Sequence, residues 1–288
     1  MISSGKIFRC AAVCAAWFAL LAFAAPQPQA APQTNQIRVE YVPPKNPEHQ
    51  PIYDTLKSRK ALEKLQEIFS AFKIPSDLTL RTMGCDGTPN AWYANGVVTV
   101  CYEYLNRIHR TLPKETTAAG VTPEDALVGQ FFYVFAHETG HAMFDLLSVP
   151  VFGHAEDAAD QFATYIMLQF GQEQAKRLIM GAAYSYKNYI QDPNVTVPLV
   201  AFADMHSAPA QRYYNLLCLG YGAHPQVFAE VVDKNYLPAT RASDCQKEYG
   251  ELNWAFFSLI KPHLDMDIAK AVMQSDWLPK PKSAPKPN

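Results

Sequence analysis

Along this chain the spacing of apolar residues changes period twice, and each change marks a different kind of element. Leu62, Leu65, Phe69 and Phe72 recur at helical spacing with charges between them, so one amphipathic helix is predicted from Leu56 to Phe72, closed by Pro75. The period then falls to two. Leu78 and Leu80 alternate with polar partners, and Ala91 to Ala94 faces Val97 to Tyr102 across Asn95-Gly96. Asn-Gly between two such runs predicts a hairpin, because both residues of that tight turn take positive φ. Upstream, residues 25–51 form a proline-rich lead-in containing Pro26, Pro28, Pro32, Pro43, Pro44 and Pro47, with one short strand predicted at Ile37 to Val42.

After Thr122 the period is helical almost to the end. Thr122-Pro123-Glu124-Asp125 combines an N-cap, a proline at the first helical position and acids in the first turn, and the helix it opens should run to about Leu147, before Pro150. Further helices are predicted from about Ala155 to Phe170, Glu173 to Tyr189, Ser207 to Leu219 and Ser243 to Ile260. The tail, residues 271–288, ends in alternating Pro and Lys and is predicted to be disordered. The layout is α+β: a helical majority with one small sheet, in a single domain over residues 52–270.

The N-terminus follows different rules. Lys6 and Arg9 precede an apolar run from Cys10 to Ala25, and Ala22-Phe23-Ala24 has the small-x-small pattern of a cleavage site. Residues 1–24 are therefore expected to be a signal peptide, the alternative being an uncleaved anchor, and the chain to be exported to the periplasm or beyond. No later stretch reaches membrane length. Four cysteines follow the expected cleavage point: Cys85, Cys101, Cys218 and Cys245. An even number in an exported chain points to disulfides. Of the three possible pairings, Cys85–Cys101 and Cys218–Cys245 close the shortest loops and are the expected ones. None of the four has the close spacing of a zinc-binding cysteine pair.

Composition narrows the function classes. With 25 Lys+Arg against 27 Asp+Glu the formal charge is −2, which excludes the usual electrostatic nucleic-acid binder. Hydrophobic residues at 49% against 18% charged exclude a disordered chain.

The chemistry centres on His137-Glu138-Thr139-Gly140-His141, an H-E-x-x-H inside the best-defined helix. The i,i+4 spacing puts both imidazoles on one face, able to share one zinc, while Glu138 faces the adjoining flank as a base that is not a ligand. The bland reading is a buried, hydrogen-bonded histidine pair. Burying two histidines and a glutamate unpaired among Phe131, Phe132, Val134, Phe135, Met143 and Phe144 would be costly, and a metal accounts for them. Zinc needs a third ligand. The extended pattern with Gly at 144 and His at 147 fails, because Phe144 and Leu147 stand there. Asp145 lies on the right face, but positions 137 to 145 span roughly 12 Å of helix axis, so it reads as a salt-bridge or outer-sphere group. Glu156 and Asp160 share a face of the next helix, with small Ala158 and Ala159 allowing close approach. Glu156 is taken as third ligand and Asp160 as the carboxylate that orients a ligating imidazole. His154 and Asp157 are the rivals.

Glu156-Asp157-Ala158-Ala159-Asp160 after H-E-x-x-H resembles the gluzincin side of the zincin metallopeptidases, the group typified by thermolysin, although the linker from His141 to Glu156 is shorter than thermolysin's own. More narrowly, the chain resembles a family of exported bacterial proteins grouped as metallopeptidases by motif, whose domain is otherwise of unknown function. The likeness runs from about Ile52 to Ile260. It is carried by Cys85, Asn90 to Tyr93, Thr99 to Glu103, His137 to Ala142 with Asp145-Leu146, Glu156 to Asp160, and Arg212 to Leu219 with Tyr221-Gly222. The resemblance implies a zincin-like fold with the sheet before the H-E-x-x-H helix, one Zn2+ per chain and a peptide or protein substrate. It also implies zinc ligation by His137, His141 and Glu156, a catalytic base at Glu138 and support of a histidine ligand by Asp160.

Other candidates are weaker. His206, just before a helix, is the first candidate for an oxyanion donor, ahead of Tyr213 and Tyr214. Asn90 and Tyr93 on the hairpin are candidate substrate contacts, and the hairpin edge could accept an added peptide strand. Arg212 could pair with an acid, although a surface role is expected. Two other functions stay open: a non-catalytic exported binding module, with Tyr184, Tyr186 and Tyr189 as an interaction surface, and a zinc hydrolase acting on other amides or esters. The intact Glu138 argues against the first.

Overall fold

A computed structural model describes residues 36–190 and 196–278. The expected signal peptide, residues 25–35 of the lead-in and the end of the tail lie outside the described residues. Strand β1 (Ile37–Tyr41) is followed by α1 (Gln50–Ser58), α2 (Ala61–Phe69), β2 (Leu78–Met83), β3 (Ala91–Ala94) and β4 (Val97–Cys101). The helical part then comprises α3 (Tyr102–Thr111), α4 (Pro123–Leu146), α5 (Ala155–Leu168), α6 (Gln172–Ala183), α7 (Pro209–Ala223), α8 (Ala229–Asp233), α9 (Ala239–Leu259) and α10 (Met266–Gln274). The fold is α+β and zincin-like, with a small mixed sheet ahead of the helix that carries the motif.

The sheet order is β1-β2-β4-β3. β1 runs parallel to β2, β2 parallel to β4, and β3 antiparallel to β4, so β3 is an edge strand. The hairpin turn forms as predicted: Asn95 and Gly96 have φ of 50° and 75°. A Cβ on Gly96 would also press on the Asp77 carbonyl at 3.0 Å. Leu78, Leu80, Val98 and Val100 bury the inner side of the sheet.

α4 is buried nearly all round, packed between the hairpin on one side and α5 and α6 on the other. It starts where the sequence placed it. Thr122 Oγ1 accepts from the Asp125 N–H and the Asp125 side chain returns the bond to the Thr122 N–H, a complete capping box. Both expected disulfides are present. Cys85–Cys101 ties the loop after β2 to the end of β4, and Cys218–Cys245 ties α7 to α9, with Cα separations of 5.6 and 5.0 Å.

Several expectations need correction. The helix predicted over Leu56 to Phe72 is two, broken where Lys60 takes a left-handed φ of 50°. Only the second half has fully buried side chains; α1 has none to hold it in line. The strand at Ile37–Tyr41 belongs to the sheet, so the folded unit begins before residue 52. It also extends past residue 270. Val272 is buried, and the Trp277 N–H donates to the Gln174 side chain while its indole N–H donates to the Val272 carbonyl. α3, which the sequence pattern does not predict, begins directly after β4 at the end of the expected hairpin strand and buries Tyr102, Leu105 and Ile108.

Candidate metal centre

Two helices build the centre. On α4, His137 and His141 stand one turn apart, ring centroids 5.0 Å from each other, with Glu138 beside them. α5 approaches at Gly140, where a Cβ would lie 3.3 Å from the Ala159 Cα and 3.1 Å from the Phe162 ring. This close approach of small residues carries the first turn of α5, and Glu156 with it, onto the imidazoles.

Glu156 Oε2 lies 3.0 Å from His137 Nε2, 3.3 Å from His141 Nε2 and 2.9 Å from His206 Nε2. On its far side, His137 Nδ1 donates to Asp160 Oδ1 at 2.7 Å. Arg212 Nε and Nη2 donate to the two Asp160 oxygens, each at 2.7 Å. Its guanidinium lies 5.9 Å from the Tyr133 ring and 5.3 Å from the Tyr186 ring. His206 lies stacked on His137, centroids 5.9 Å apart. Asp204 Oδ1 accepts from the His206 backbone N–H at 2.9 Å and faces its Nδ1 at 3.1 Å.

The electrostatics follow from this crowding. Burial opposes charge on His137, but its hydrogen bonds to Asp160 and Glu156 outweigh that and lift it to about 9. The His137 hydrogen bond holds Glu156 down at about 2, against its partial burial. Burial would raise Asp160, yet His137 and Arg212 hold it far below the usual carboxylate range. His141 is lowered by burial and by the neighbouring His137 charge. Glu138, 7% exposed, is lifted to about 7 chiefly by desolvation, with the Glu156 charge pushing the same way and the His137 charge opposing.

A neutral imidazole carries one N–H, yet both nitrogens of His137 and both of His206 face carboxylate oxygens. The arrangement demands positive charge between the donors. A divalent cation held between Glu156 and the imidazoles would meet that demand. Donor atoms of His137, Glu138 and His141 lie within 4.8 Å of one another, as do those of His137, Glu156 and His206, so the set fits a metal ion. A third grouping, Cys85, Cys101 and Glu103, has both sulfurs spent in a disulfide.

The rival ligands point elsewhere. His154, the N-cap residue of α5, directs Nδ1 at the Met205 carbonyl 3.4 Å away, and Asp157 lines a polar cavity of about 90 Å³ on the Asp160 and Arg212 side of the centre, away from the imidazole Nε2 atoms. Asp145 touches neither histidine; its Oδ2 accepts from the Tyr93 hydroxyl at 2.6 Å, clamping the hairpin to α4. Tyr93 is therefore engaged through its side chain, its phenol pushed up to about 12 by burial and by Asp145. The Asn90 side chain is exposed, and its carbonyl accepts from the Cys101 N–H at 3.0 Å, extending the ladder. Pairing at Ala94–Val97 and Asn90–Cys101 sets the alternation, so Ala91 and Tyr93 turn their backbone groups to the open edge. There the Tyr93 backbone hydrogen-bonds Glu138.

Arg212 is a correction: its side chain, 17% exposed, is drawn off the surface into an ion pair with Asp160, 52 positions away. Asp204 was missed; its place two residues before His206 was the available signal. Tyr186 faces Arg212 in the interior, which removes it from the proposed tyrosine surface, and the Tyr189 side chain lies outside the description.

Residues 41–260 match the family DUF4344, described as "Putative metallopeptidase". The chain belongs to this family. The DUF4344 span takes in every residue of the centre, from the hairpin through His206 and Arg212, and its description agrees with an H-E-x-x-H borne on a helix. Neither the curated proteins nor the solved structures yield a match to this DUF4344 member. Among the described residues, no helix is long and apolar enough to cross a membrane.

Proposed function

We propose that this chain is an exported, gluzincin-type zinc metallopeptidase that cleaves peptide bonds. One observation carries the reading: Glu156 Oε2 meets the Nε2 atoms of His137 and His141 while Asp160 takes the opposite nitrogen of His137. In this reading His137, His141 and Glu156 hold one Zn2+ per chain. When bound, the ion acts as a Lewis acid toward water and the substrate carbonyl.

The remaining steps belong to the chain. Glu138 accepts a proton from the attacking water and passes it to the leaving nitrogen. Arg212 keeps Asp160 ionised and fixed, and Asp160 in turn sets the tautomer and orientation of His137. Asp204 steadies His206, whose Nε2 then donates to the substrate oxygen as negative charge gathers there. The open edge of β3, next to Glu138, offers the Ala91 backbone groups and the Tyr93 carbonyl to an extended peptide. Export to the periplasm or beyond is part of this reading, supported by the basic and apolar leader and by the two disulfides.

The test is cleavage of a diverse peptide library by the purified protein, with a chelator and Glu138→Gln as parallel arms. Cleavage should disappear in both arms and return when zinc is restored to the chelated wild type. Cleavage that survives in Glu138→Gln would mean the proton chemistry is misassigned.

A further inference from the structure

On another face of α4 lies a cavity of about 550 Å³ that the chemistry above does not use. It is bounded by α1, α2, α3 and the first half of α4, with Trp277 and Leu278 at one end. Its α4 wall is Leu127, Val128 and Phe131, half-buried apolar residues, with the buried Phe132 beside them. Leu56 of α1 and Leu65 of α2 face them across the space. The size falls in the range of about 300–1,000 Å³ usual for small-molecule sites, and such an apolar lining leaves polar recognition to the rim.

The rim is cationic. Arg59 and Lys64, flanking the break between α1 and α2, line it together with His109, against one acid, Glu48. Both Arg59 and Lys64 are exposed, and neither has a resolved ion pair. Residues 25–35, 191–195 and 279–288, all outside the description, contain one apolar side chain larger than alanine or proline, Val195. The apolar run at 10–25 belongs to the expected leader.

We propose that this cavity binds a free long-chain fatty acid, its acyl chain along Leu127, Val128 and Phe131 and its carboxylate at Arg59 and Lys64. An unbranched acyl chain suits walls that are mainly apolar, with Thr55 and Asn106 the uncharged polar residues among them. A carboxylate at the mouth matches the fork of Arg59 and the ammonium of Lys64. The proposal does not depend on the zinc centre.

Titration of the delipidated full-length preparation with palmitate, by calorimetry below the micellar concentration, should show saturable binding of one molecule per chain. Arg59→Glu with Lys64→Glu, both exposed and safe for folding, should weaken palmitate by about tenfold or more while leaving the uncharged alcohol of the same length unaffected. Val128→Trp should abolish binding of both by filling the space. No saturable palmitate binding would overturn the proposal, including the case in which residues 10–25 occupy the cavity and exclude it. So would equal palmitate affinity in the charge-reversed protein, or tighter binding of lysophosphatidylcholine than of palmitate. The charge-reversal result stands even if Val128→Trp fails to fold.

Discussion

Replacing Glu138 with Gln keeps the shape of a buried side chain and removes only its ability to take a proton. The variant should hold its zinc and its melting temperature while turnover falls by about 10²–10⁴-fold, read by comparing metal content with initial rates. His206 calls for a different readout, because its Nε2 lies as close to Glu156 Oε2 as the ligand candidates do, at 2.9 Å. If His206 stabilises developing charge, His206→Ala should lower kcat by about 10²-fold and leave zinc affinity unchanged. A matching fall in zinc affinity would make it a ligand. Glu103 supplies a pH prediction away from the centre. Burial would raise its carboxyl, but hydrogen bonds from the Gly87 and Cys85 backbone N–H groups help to hold it below the usual value. A lowered folded-state value adds stability that is present above the unfolded-state value and lost as pH falls through the folded one. Glu103→Gln should therefore flatten the acid side of the stability profile, seen in melts between neutral and acidic pH.

At the level of elements, the pairing of α5 and α7 through Asp160 and Arg212 joins helices far apart in sequence. Arg212→Met would leave Asp160 with His137 as its remaining partner, and losing charge-assisted hydrogen bonds of this kind costs about 1.5–3 kcal/mol; denaturant unfolding measures it. Elements whose cause is local were legible. The capping box at Thr122 and Asp125, the Asn95-Gly96 turn and the i,i+4 histidines each depend on residues within one turn of one another. The parallel alignment of β1 with β2 and β2 with β4 was not, since it is set by partners distant along the chain. The break at Lys60 escaped for a related reason: no proline or glycine marks it, and the absence of buried side chains in α1 shows only once the core is assembled. Arg212 looked like a surface cation because its partner lies 52 positions away.

For the molecule as a whole, the hairpin, the long buried helix and the second helix form one support for the centre, and the disulfides brace it at two places. Cys85–Cys101 holds the loop before the hairpin, and Cys218–Cys245 locks α7, which carries Arg212, to α9. Reduction of the second bridge should cost about 3–4 kcal/mol and loosen the helix behind Asp160, measurable as a lower midpoint in denaturant under reducing conditions. The candidate metal site was readable from His137, Glu138 and His141 alone. The hub at Glu156 Oε2 became visible only with α5 packed against Gly140. Elemental analysis of purified wild type and Glu156→Ala, at matched protein concentration, tests that hub most directly. One zinc per wild-type chain and a sharp loss in the variant is the predicted outcome; a folded wild type that takes up no zinc, or a variant that keeps it fully, would contradict the account.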